Sequence, residues 1–91
     1  MSNVAQQINQ APSNNIEAAT VLLNELVAES VDTFKLKERQ VLQVFACNGI
    51  CRSIIEEKLS EYRLQGADFD VETVNLRLFD LIVSRLRDTQ S

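Results

Sequence analysis

Between Val71 and Asp88 the chain is at its most apolar, and the polar residues Thr73, Arg77, Asp80, Ser84 and Arg87 recur there at helical spacing in one narrow stripe. A helix of that kind is buried on most of its sides. It stands at the centre of the fold, or it lays surplus apolar surface against a second copy of the chain, because large apolar patches are unusual on a monomer. Leu76, Phe79, Val83 and Leu86, at steps of three and four, mark the seam of such a homodimer. Asp70 suits the N-cap, and Phe69 can staple onto Val74 four positions into the helix. Arg85 and Arg87 sit where the negative end of the helix dipole favours cations.

The remainder of the chain repeats the same period. Asn14 and Glu17 are spaced as a capping-box variant, and Ile16, Ala19, Leu23 and Leu26 follow at steps of three and four. They predict a first helix from about Asn15 to Ser30. Asp32 or Thr33 can cap a second helix whose inward residues are Phe34, Val41, Leu42 and Phe45, with Asn48 and Gly49 as its stop. A third helix is marked by Ile54, Ile55, Leu59 and Tyr62 and ends near Gly66, with Arg52, Glu56, Glu57, Lys58 and Glu61 on its exposed side. No strand signal interrupts these helices. Residues 1–13, rich in Asn, Gln and Ser with one Pro, read as a flexible polar arm. The expectation is a small all-α, four-helix domain over residues 14–91.

Size and charge narrow the function. A chain of 91 residues forms one domain and buries only about 60–65% of its unfolded surface, so a second copy would stabilise it. Its first basic residue is Lys35: the four acids Glu17, Glu25, Glu29 and Asp32 precede it, and the −4 charge lies in that N-terminal third. No basic start followed by an apolar run marks a signal peptide, and no apolar run approaches the roughly 20 residues of a membrane span. A soluble, cytoplasmic protein is expected. Cys47 and Cys51, with no histidine in the chain, cannot close a zinc site and read as small buried residues in a reduced compartment. Without histidine, a Gly-rich loop or a perturbed carboxylate pair there is no catalytic residue to name, and neither an enzyme, a metal nor a cofactor is expected.

Two family patterns can be seen in the second half of the chain. Lys37-Glu38-Arg39-Gln40-Val41-Leu42-Gln43-Val44, then Arg52-Ser53-Ile54-Ile55-Glu56-Glu57-Lys58-Leu59, then Val71-Glu72-Thr73-Val74-Asn75 resemble, over about 55 residues, the LuxR-type helix-turn-helix domain. Seven residues, Arg63 to Phe69, stand where that family has a tight turn. The resemblance implies a transcriptional regulator on duplex DNA. Glu72, Thr73, Asn75 and Arg77 would face the major groove, Asn75 pairing with adenine and Arg77 with guanine, and Lys58, Arg63 and Arg85 would lie near phosphates. Bases and acids balance from Lys35 onward, which leaves no surplus for phosphate neutralisation. Lys58-Leu59-Ser60-Glu61-Tyr62-Arg63-Leu64 with Thr73-Val74 resemble the C-terminal half of type III secretion needle subunits, which implies polymerisation. Read from its residues alone, the chain also fits a helical adaptor, chaperone or anti-factor, whose acidic first helix would steer a protein partner with a basic groove.

Overall fold

The computed structural model describes residues 12–64 and 68–89, and these form four helices and no strand: α1 (Asn15–Phe34), α2 (Glu38–Asn48), α3 (Arg52–Arg63) and α4 (Val71–Thr89). The all-α, four-helix expectation holds. Residues 1–11 of the expected arm lie outside the described residues, as does Gly66. Pro12 is buried, and the Ser13 N–H and hydroxyl both donate to the Glu17 carboxylate at 2.9 Å.

Helices α1 and α4 start where a side chain accepts from their free N–H groups. Asn14 Oδ1 accepts from the Glu17 N–H at 2.9 Å. Lys37 has no acceptor to offer as an N-cap, so only the return half of a capping box forms there, its N–H donating to Gln40 Oε1 at 2.9 Å. Asp70 Oδ2 accepts from the Thr73 N–H at 3.0 Å and from its hydroxyl at 2.6 Å, while the Asp70 N–H donates to Asn15 Oδ1 at 2.9 Å. That last bond ties the start of α4 to the start of α1. Phe69 and Val74, the expected staple pair, are both buried.

Helix α1 runs a full turn beyond the expected Ser30. No Gly or Pro interrupts residues 16–48, Val31 extends the packed face, and Lys35 ends the helix by taking the left-handed conformation at φ 57°. Asp32 and Thr33 therefore lie inside α1 and cap nothing. Phe34, expected inward from a second helix, is 66% exposed at the end of the first. Ile16, expected on the core face of α1, is also exposed. Gly49 stops α2 as expected, with φ 75° and its N–H on the Phe45 carbonyl at 2.8 Å.

The core is aliphatic: Ala18, Ala19, Leu22, Leu23, Leu26 and Val27 from α1 meet Val41 and Leu42, Ile55 and Leu59, and Val74, Leu78 and Ile82 of α4. Among the described residues no polar or charged residue is buried. Tyr62 and Phe69 close one end edge to face, their ring centres 6.1 Å apart and their planes at 76°. The Tyr62 hydroxyl donates to Glu25, and desolvation together with that carboxylate pushes the phenol well above its ordinary range.

Helices α1 and α4 each pack against all three others, whereas α2 and α3 make no contact with one another. Central placement of α4 agrees with its sequence. Burial on most of its sides does not: Val74, Leu78 and Ile82 face the core, but Glu72, Asn75, Leu76 and Phe79 are exposed as well as most of the polar stripe. The domain is too thin to cover α4 all round.

Candidate protein-contact surface

The link between α2 and α3 is only Gly49, Ile50 and Cys51, and both helices rest on α1 or α4 instead of on each other. Two apolar grooves open on either side of that link and share Phe45, Gly49 and Ile50 as a wall.

The larger, of about 400 Å³, lies between α2 and α3 over the C-terminal half of α1. Leu26 and Phe45 line its depth, and Phe34, Val44 and Ile54 stand around it at 66%, 49% and 40% exposure. Its polar lining comes from Glu29, Ser30, Thr33 and Cys51. The second groove, of about 250 Å³, runs between the end of α2 and the outer side of α4, where Asn75, Leu76 and Phe79 line it. A third cleft of about 290 Å³ lies between α1, the start of α2 and Arg85, with Glu38 among its walls.

Helix period alone does not predict the first groove. Phe34 and Ile54 both belong to the apolar pattern, but Ile54 adjoins the fully buried Ile55, and neighbours on a helix point about 100° apart. Adjacent apolar residues such as Ile54-Ile55 and Val44-Phe45 are the signal, since only one of each pair can face the core squarely.

The acids of α1 border this region. Glu29 accepts from Lys58 Nζ at 3.1 Å and Glu25 lies 4.0 Å from the same ammonium. The Lys58 pKa is raised, first by the bond to Glu29, and its side chain is only 15% exposed. Lys58 was expected on the outer side of α3 and near phosphate; the structure places it against α1, already paired, because its position on α3 flanks the buried Ile55-Leu59-Tyr62 stripe.

The other residues expected at a DNA surface fall on different sides. Arg63 donates to the Phe69 carbonyl at 2.8 Å and lies 4.0 Å from Asp68. Arg85 lines the third cleft. Glu72 is paired with Arg52 of α3, and Thr73 is held by Asp70. Asn75 lies on one flank of α4, while Thr73 and Arg77 lie on the other, where Arg77 is half-buried and its Nε has no hydrogen-bond partner, and Glu72 stands at the head of the face between them. Between the two flanks the outward face is apolar. Leu76, Phe79, Val83 and Leu86, the expected dimer seam, are brought together in one stripe there, Leu76 69% and Phe79 53% exposed and Val83 and Leu86 half-buried.

Both cysteines, expected inside, are exposed free thiols, Cys47 in the last turn of α2 and Cys51 at the end of the α2–α3 link. The four-residue spacing spans a helix end and not a helix interior, which carries both side chains out of the core. Cys51 caps α3, and its thiol pKa is lowered by Ser53, whose hydroxyl lies 3.0 Å away, and by the N–H groups of Ser53 and Ile54. Among the described residues no cluster of potential ligands could hold a metal ion, and no helix is long and apolar enough to cross a membrane.

No family model, curated protein or solved structure matches this chain, so its function is argued from this geometry.

Proposed function

We propose that the chain is a small regulatory protein that works by binding another protein, the groove between α2 and α3 receiving an amphipathic helix of the partner. The observation that carries this reading is the ring of Phe34, Val44 and Ile54, three exposed apolar side chains around one groove whose depth is already part of the core. The partner's helix carries apolar anchors at i, i+3 or i+4 and i+7. Its flank is basic, because Glu29 lines the groove and the chain carries a net charge of −4.

Selection from a random library of helical peptides, read by fluorescence anisotropy, tests this. Enriched peptides should combine the anchor spacing with Lys or Arg, and Val44→Glu or Ile54→Glu should weaken them by at least about tenfold. Enrichment without that pattern, or affinity indifferent to both changes, overturns the reading.

A helix-turn-helix regulator of transcription is the second reading. It is favoured by the packing of α3 on α4 together with the exposure of Thr73 and Asn75 in the first turns of α4. On that reading the protein binds random duplex with an affinity that falls steeply with salt, and Arg77→Ala costs about 1–3 kcal/mol on a selected site. The paired state of Lys58 and Arg63 places it behind protein contact.

A further inference from the structure

We infer that the outward face of α4 is an interface between two copies of the chain, packed antiparallel about a two-fold axis that passes between Phe79 and Asp80. This surface is separate from the groove between α2 and α3 and does not depend on what that groove binds.

The apolar stripe of α4 can meet a second copy of itself in either direction, and the charges at its two ends decide between them. When the two helices run antiparallel with Phe79 of one beside Asp80 of the other, Leu76 of each copy meets Val83 of its mate, and the contact occurs twice by symmetry. Phe79 lies at the axis against its own mate, where with Leu76 it forms one wall of the second groove. The same register sets Glu72, at the start of the stripe, opposite Arg87 at its end, again twice. A parallel pair would set Glu72 on Glu72 and Arg87 on Arg87. Charge therefore selects the antiparallel arrangement. Arg52, already paired with Glu72, stands beside each end of the seam.

Two features limit its strength. From Glu72 to Arg87 the seam is about 24 Å long, a single helix pair, and this buries less than the roughly 1,200 Å² at which stable interfaces begin. Asp80 lies on the flank of the stripe beside the axis and faces its own mate, a like-charge contact that weakens the pair. The expected dimer thus dissociates in the micromolar range, and it should tighten when Asp80 loses its charge.

Sedimentation equilibrium over a wide range of protein concentration reads this directly. The mass should rise from the 10.3 kDa of one chain to twice that value. Leu76→Glu should keep it at one chain, with an unchanged helical circular-dichroism spectrum because Leu76 is largely exposed. Asp80→Asn should lower the dissociation constant severalfold, a gain that no folding defect can imitate. For direction, chains with Cys47 and Cys51 changed to Ser and carrying either Leu76→Cys or Val83→Cys are mixed and oxidised. Antiparallel packing yields the mixed disulfide, whereas parallel packing yields each chain joined to itself. A monomer at every concentration, a dimer indifferent to Leu76→Glu, or self-joined chains would overturn the proposal. Val44→Glu should leave the dimer intact, so a failure of the groove reading and a failure of this one are told apart.

Discussion

Helices α1 and α4 and helices α2 and α3 are built from the same kinds of residue, yet they close the fold unequally. The long pair packs along its length and each member touches every other helix; the short pair diverges from a three-residue link and leaves a groove between its members. The difference follows from length. Nineteen or twenty residues give a helix about 30 Å long, with room for a continuous face, whereas eleven or twelve give a little over three turns, enough to cover part of α1 or α4 but not each other. Apolar residues in the long pair become core, and some in the short pair become surface.

The contrast is broken most severely from the closed side. Leu22→Ala and Leu78→Ala, at 0% and 1% exposure, should each cost about 2–5 kcal/mol in urea unfolding, a large share of the stability of so small a domain. Val44→Ala and Ile54→Ala on the open side should cost less than about 1 kcal/mol. Equal losses on the two sides would mean that the groove is closed in solution. Next in size is the hinge of the open side. Gly49 takes φ 75° and ψ 176°, an essentially glycine-only conformation, with no atom within 4 Å of where a Cβ would stand, so Gly49→Ala suffers backbone strain alone and should cost about 1–3 kcal/mol.

Acid should loosen the closed side at its start. Hydrogen bonds from the Thr73 hydroxyl and N–H hold the Asp70 carboxyl below its ordinary range, and those from Ser13 do the same for Glu17. A carboxyl whose folded pKa is depressed contributes stability above its unfolded pKa and loses it as pH falls through the folded one. Melting temperature should therefore drop below about pH 4, and less so in Asp70→Asn, which keeps the cap without the charge. The smallest effect is chemical. Cys47 and Cys51 should both react with a disulfide reagent in the native state, and the Cys51 reaction should persist toward lower pH than that of an ordinary thiol because its pKa is lowered by Ser53; protection of either would contradict their exposure.

Much of this fold can be read from spacing. The caps at Asn14 and Asp70, the stop at Gly49 and the buried positions Leu23, Leu42, Leu59 and Val74 follow from local rules that act over three or four residues. Phe34 is misplaced by a helix boundary: it belongs to the last turn of α1 and not to a second helix, and at that end it stands 66% exposed. Lys58 was misplaced differently: its period is right for a helix surface, but the surface beside it belongs to α1, whose acids lie some thirty residues away in sequence.

By itself the sequence determined four helices, their aliphatic core faces, an acidic N-terminal third and an apolar stripe on α4 in excess of what its core face uses, because period, capping and charge are properties of short segments. Only the tertiary structure decided that α2 and α3 stand apart, that Phe34, Val44 and Ile54 surround the opening they leave, and that the bases proposed for DNA lie on separate sides. Those outcomes depend on which helix lies against which, and packing between distant segments is fixed by the shape of the whole core.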